Sequence, residues 1–220
     1  MSSTSRKNSV HNLSAFRAGF YAAGFWGPRQ EEPDAAALRL SHFLQSLAGI
    51  QPMLAEWYFT ISRSGALVSV PRSENALSEI IAKRMAWLRR GMDEETGKRM
   101  GAIVTMWAGD HSTQASLIVR LGNTDPRLGN AAVLKLPPAL NPVFTDFARS
   151  RSVIEAIVAS WDPDQAVLRP ANVPRSDAPP LKPGQVVRIE DVAHQFPDWI
   201  AYKRNSPVVF GGPFGKSSSA

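Results

Sequence analysis

The chain of 220 residues contains no cysteine. That excludes disulfides and thiolate-bound metal, and it suits a reducing compartment. Histidine is scarce as well. His11, His42, His111 and His194 fall at none of the short spacings that bring two imidazoles onto one metal ion, so no metal site is assigned. No run approaches the ~18 consecutive apolar residues of a membrane span. The opening "MSSTSRKNSVHNLS" lacks the apolar stretch of a secretory signal, which leads us to expect a cytoplasmic protein with no membrane partner. Phosphate-cradling and dinucleotide-binding glycine motifs are missing, as is the nucleophile elbow of hydrolases. Asp110-His111-Ser112 collects the residue types of a catalytic triad. Triad members meet in space, however, whereas consecutive side chains diverge, and this stretch reads as a hairpin turn. No catalytic residue and no cofactor is assigned.

What is present is bulky apolar material. The hydrophobic content is 44%, with six Trp and ten Phe, enough for one sizeable core. The net charge of +6 raises nucleic acid as a partner. The cations are spread, though. Arg6 and Lys7 stand near the start, Lys83, Arg84, Arg89 and Arg90 on one helix, and Arg169, Arg175, Lys182 and Arg188 in a Pro-rich region. No stripe interleaves them with aromatics at stacking distance, so no specific nucleic-acid site is expected. A basic nucleic-acid-binding accessory protein is the alternative reading, and a hydrolase whose site is assembled from distant residues is a third.

Residues 1–12 are polar and Ser-rich, as a disordered tail would be. Residues 14–25 alternate as a strand until Gly27-Pro28 breaks it. Pro33 and Asp34 open a helix, with Glu31 and Glu32 adding negative charge where the dipole favours it. Ala36, Leu40, Phe43, Leu44 and Leu47 fall on one face, and Gly49 ends it. Residues 55–62 read as a second strand, with "ALVSV" continuing it. Residues 73–90 form a second helix capped by Ser73, with a stripe of Leu77, Ile80, Ile81, Met85 and Leu88. Strands at 100–107, 115–121 and 131–136, separated by turn-forming residues, suggest an antiparallel meander. A third helix spans about 142–160 and stops at "WDPD", and Asp93, Glu94 and Glu95 read as helix-end charge or solvated loop. Residues 165–185 read as an extended Pro-rich connection. "VVRIEDV" and "WIAYKR" are short late strands, and 205–220 is Gly/Ser-rich and loose. The expected fold is α+β, a mostly antiparallel sheet packed with three main helices in one domain over 13–204. Trp26, Trp57, Trp87, Trp107, Trp161 and Trp199 each fall at the end of an expected element, where an indole closes a core or frames a groove. The residues by themselves describe a soluble α+β binding protein.

The order of particular residues adds a resemblance. "FWGPRQEEPDAAALRLSHFLQSLAGIQPMLAEW" supplies Trp26, Gly27, Pro28, Arg29, Glu31, Ala37, Arg39, Leu40, Phe43, Leu44, Pro52 and Trp57 in sequence. "TMWAGD", "NAAVLKLP", "WDPD" and "DWIAYKR" follow. Together these pieces resemble the bacterial immunity protein 52 family over most of residues 16–204. The resemblance implies a protein that binds the C-terminal toxin domain of a cognate polymorphic effector and protects the producing cell. The partners it implies are often nucleases of restriction-endonuclease fold, delivered by contact-dependent or type VI secretion. It implies a structural role for Trp26, Gly27, Pro28, Arg29, Trp57, Trp107, Trp161 and Trp199, with Trp57 and Trp161 in the core and Arg29 pairing with a carboxylate. Toxin contacts are expected on exposed loops. The candidates are Glu31, Glu32 and Asp34, then Asp93, Glu94 and Glu95, then Asp110 and His111. Reversing Glu31 and Glu32 to Lys is expected to weaken binding without unfolding the domain. The basic charge departs from the phosphate mimicry of acidic nuclease inhibitors. Either a local acidic face does the work, or the protein binds away from the DNA cleft, or the toxin is not a nuclease.

Overall fold

The computed structural model describes residues 19–60, 66–110, 113–144, 146–170, 200–204 and 209–210. In chain order the elements are β1 (Phe20–Trp26), α1 (Pro33–Ile50), β2 (Tyr58–Thr60), β3 (Leu67–Ser69), α2 (Glu74–Leu88), α3 (Glu94–Arg99) and β4 (Ala102–Ala108). They continue as β5 (Ala115–Leu121), β6 (Asn130–Leu136), α4 (Asn141–Phe144), α5 (Phe147–Trp161), β7 (Gln165–Pro170), β8 (Ile200–Lys203) and β9 (Val209–Phe210). The nine strands make one sheet in the order β3-β2-β4-β5-β6-β1-β7-β8-β9, and every described pairing is antiparallel. The expected meander is β4-β5-β6. The first strand in sequence is inserted between β6 and β7, in register from Phe20↔Leu136 to Trp26↔Asn130.

The helices cover one face. Leu40, Phe43 and Leu47 of α1, Leu77, Ile81 and Met85 of α2, and Val153, Ile154, Ile157 and Trp161 of α5 meet Val104, Met106, Leu117, Val119 and Leu134 of the sheet in one buried cluster. These residues recur every three or four positions in the helices and every second position in the strands, as one-sided burial requires. A Cβ on Gly24 would lie 2.6 Å from Ile157 Cγ2, so the missing side chain is what lets α5 cross β1 this closely. Local chemistry sets the helix ends. Pro33 occupies the first turn of α1, and Ser73 accepts a hydrogen bond from Ala76 N at the start of α2. Asp162 ends α5 with a φ of +45°, a left-handed conformation that Asp tolerates better than bulkier residues.

Several boundaries differ from the sequence reading. Residues 165–170 are a strand between β1 and β8, where an extended connection is expected. The prolines of that stretch begin at Pro170, and Gln165–Arg169 are free of them. Glu94–Arg99 form the short helix α3 in place of a loop, because Asp93 caps it. The single helix expected at 142–160 is two, because Asp146 accepts hydrogen bonds from Ala148 N and Arg149 N and starts α5 afresh. "ALVSV" turns back as β3 to pair with β2, and α1 runs through Gly49 to Ile50. "VVRIEDV" and Trp199 lie outside the described residues.

Candidate partner-binding site

The turn after β1 is stitched to three neighbours. Gly27 N donates to Asp164 Oδ2 at 2.8 Å, which ties it to the start of β7. Arg29 N donates to Asn123 O at 3.0 Å, in the β5–β6 loop. Asn130 sits between, donating through Nδ2 to Gly27 O at 2.8 Å and to Asn123 O at 3.0 Å while Oδ1 accepts from Asn123 N at 2.9 Å. Asn130 is 2% exposed, so its truncation would leave buried backbone groups without partners. Asn130→Ala is expected to destabilise the domain by about 2 kcal/mol in urea unfolding. A cost within about 0.5 kcal/mol would show that the turn holds its shape unaided.

Arg29 runs back over this turn. Its guanidinium lies 4.9 Å from the centroid of the Trp26 ring and donates to Trp161 O at 2.9 Å. Its Nη2 stands 3.1 Å from Glu31 Oε1, and Arg39 Nε approaches the same oxygen at 3.3 Å. Arg39 also donates to Ser160 O at 3.3 Å. Two cations thus cover the last carbonyls of α5, where the helix dipole is negative, and Glu31 is their shared counter-charge. Burial pulls the Arg29 guanidinium below its ordinary pKa, and Glu31 opposes that shift. The structure places Arg29 in the carboxylate pair expected of it.

Glu31 is therefore displaced from the role of an exposed contact: it is 8% exposed and engaged within the chain. Glu32 and Asp34 are at the surface, where Asp34 accepts a hydrogen bond from Ser78 Oγ of α2. Asp93 accepts from Thr96 N at 2.9 Å, which holds its carboxyl below the usual range. Glu94 pairs with Lys98 and Glu95 with Arg99. Thr124 N donates to Arg99 O at 3.0 Å, so α3 is tied to the same β5–β6 loop as Arg29. The first two acidic clusters thereby share one end of the sheet. Asp110 lies at the other end, beyond the seven residues of β4, and His111 is outside the described residues. The eight candidates do not form one patch. At their shared end the other acids are also matched, Asp125 by Arg127 and Asp162 and Asp164 by Arg204.

The tryptophans divide in a similar way. Trp26, Trp57 and Trp161 are buried, and Trp57 Nε1 donates to Leu54 O at 2.8 Å. Trp107 is half-buried on the sheet face away from the helices, and Trp87 is exposed.

That second face is what sequence reasoning missed. Tyr21, Ala23 and Phe25 of β1 alternate with its core residues, and Ala23 and Val167 form a small cluster with Tyr21, Phe25 and Val133 that includes no helix residue. Register extends the row: Ile118 stands between Thr105 and Val133, Arg120 between Ile103 and Ala131, and Lys135 between Ser116 and Tyr21. Arg169 lies opposite Tyr21 on β7, its guanidinium 5.2 Å from the ring centroid, and Lys203 lies opposite Gln165 on β8. The alternation that marks these positions is visible strand by strand. Their assembly depends on a strand order that the sequence does not state.

Among the described residues no group of His, Asp and Glu could hold a metal ion, and no helix is long and apolar enough to cross a membrane. Among the described residues the helices cover one face of the antiparallel sheet, and structural ion pairs stand at its end. The family model for Immunity protein 52 matches residues 18–196, and the chain belongs to that family. It is an immunity protein, a class that acts on a cognate toxin protein. No curated protein matches the chain.

Proposed function

We propose that this protein neutralises the C-terminal toxin domain of a polymorphic effector by stoichiometric binding, without catalysis, in the cytoplasm of the producing cell. The toxin would be a nuclease of restriction-endonuclease fold delivered by a type VI system. The family match across residues 18–196 carries this reading. The rigid sheet supports it, because a preorganised surface loses little entropy on binding. Glu32, Asp34, Glu94 and Glu95 remain candidate contacts at one end of the sheet, while Asp110 and its neighbour His111 would form a separate contact at the other.

Calorimetric titration against the C-terminal domain encoded by the adjacent gene tests the proposal. Saturable binding with Kd in the range of about 1 nM, together with loss of toxin activity at a fixed ratio, is expected. A folded, active neighbour that does not bind would remove the reading for that pair.

A further inference from the structure

Trp87 stands apart from the other aromatics. It is 62% exposed and is the only exposed aromatic among the described side chains. The helix puts it there. Leu77, Ile81 and Met85 turn into the core, and two residues beyond Met85 the helix has rotated by about 200°. Among the described residues its indole N–H meets no acceptor, and no guanidinium lies over its ring as Arg29 lies over Trp26. Arg84 and Arg90 flank it three residues to either side, a spacing that makes surface neighbours on a helix. Arg90 lies just past α2, but its N–H donates to Trp87 O at 3.3 Å and continues the turn. Both arginines are exposed, and neither forms an ion pair among the described residues. The carboxylates near them in sequence are engaged: Glu79 with Lys83, Glu94 with Lys98, Glu95 with Arg99, and Asp93 with Thr96 N. The backbone beneath is fixed. Arg89 donates from Nε and Nη2 to Met100 O at 3.1 and 3.0 Å, which pins the end of α2 beside the start of β4.

We infer that the toxin domain docks on the outward face of α2, seating Trp87 in an apolar recess whose rim carries carboxylates for Arg84 and Arg90. The inference rests on the immunity reading and adds which helix meets the toxin and what the toxin must offer. Tryptophan and arginine are the residue types that dominate interface energetics. Covering the indole removes on the order of 150 Å² of surface from water. A side chain on a pinned helix loses little backbone freedom when it docks. The cleft of a nuclease attracts phosphate and is basic, so on the nuclease reading this contact lies away from the cleft. A nucleic-acid strand fits the face less well, because strand binding stacks successive bases on several aromatics and α2 offers one. A second copy of this chain fits poorly too. A two-fold contact centred on Trp87 with antiparallel helices would set Arg84 of one copy against Arg90 of the other.

The test titrates Trp87→Ala, and the double variant Arg84→Glu with Arg90→Glu, into the adjacent-gene toxin domain. Arg149→Glu with Arg151→Glu makes the same charge change on α5 and is the control. All five side chains are exposed, and an unchanged melting temperature verifies that each protein is folded. Trp87→Ala is expected to weaken Kd about 30-fold. The α2 reversal is expected to weaken it about 100-fold and to flatten its dependence on salt, while the α5 control stays within about threefold. Toxin binding that survives Trp87→Ala within about threefold would overturn this inference and leave the immunity reading intact. An α5 control that weakens binding as much as the α2 reversal would assign the charge effect to net charge and overturn the role of the two arginines. No wild-type binding to an active neighbour would overturn both readings. Salt-sensitive binding of single-stranded RNA that Trp87→Ala abolishes, with toxin binding untouched, would assign the face to nucleic acid and overturn the protein partner.

Discussion

Trp161→Ala is expected to destabilise the domain by about 4 kcal/mol, a large share of the 5–15 kcal/mol that ordinarily holds a domain of this kind together. Trp161 is the last residue of α5 and is 0% exposed. It stacks on Trp26 with centroids 5.6 Å apart and planes 13° from parallel, and it meets Phe43 of α1 edge-on at 6.0 Å. One side chain thereby joins β1, α1 and α5. The surroundings have little freedom to collapse into the space an alanine leaves, because Trp26 is fixed in the sheet by both β6 and the stitched turn after it. The indole N–H of Trp161 has no acceptor among the described residues, so its contribution is packing. Trp161→Phe should therefore retain most of the stability, with a cost below about 1.5 kcal/mol. Urea unfolding of the two variants measures this directly. A loss of less than about 1 kcal/mol in the alanine variant would mean that the junction is not a centre of the core.

The reach of the sequence was uneven, and the reasons are physical. Elements whose periodicity is local were legible. Leu40, Phe43 and Leu47 mark α1, Leu77, Ile81 and Met85 mark α2, and the alternation Ala102, Val104, Met106 marks β4, each buried as its pattern implies. Ser73 as a cap was legible for the same reason, since the bond it makes reaches only to Ala76. β7 was hidden because a stretch judged by its prolines concealed the five strand-forming residues ahead of Pro170. α3 is six residues long, too short for any apolar stripe, and only its capping Asp93 betrays it. The candidate contacts suffered from a different limit. Charge is read along the chain, while its consequence depends on what comes near in space. Glu31 is two residues from Arg29, but its second partner, Arg39, reaches it only once α1 has turned twice. Arg120, Lys135, Arg169 and Lys203 lie far apart along the chain, on four strands that only the order β5-β6-β1-β7-β8 collects on one face. In all these cases the local term was available from residue types, and the missing information was strand order or helix packing.

Glu31→Lys is the second large effect, and its expected outcome is loss of fold with no specific loss of contact. The substitution would place a third cation between Arg29 and Arg39, whose nitrogens now lie 3.1 and 3.3 Å from Glu31 Oε1. Breaking a fully buried pair costs about 3–5 kcal/mol. The two arginine side chains here are 24% and 35% exposed, so water relieves part of the strain and the low end, about 3 kcal/mol, is expected. That corresponds to a fall in melting temperature of roughly 6–12 °C for a domain of this size. Glu32→Lys, one residue further on, changes an exposed side chain and should leave the melting temperature within about 1–2 °C. Thermal unfolding and toxin-domain titration of the two single variants separate the possibilities. If Glu31→Lys kept its melting temperature and lost binding, the carboxylate would belong to the interface after all. If it loses stability, and binding fails only in proportion to the unfolded fraction, the order Arg29, Glu31 and Arg39 serves to lock the β1 turn onto the end of α5. The buried glutamate is then part of the frame that holds the two arginines over the last carbonyls of α5.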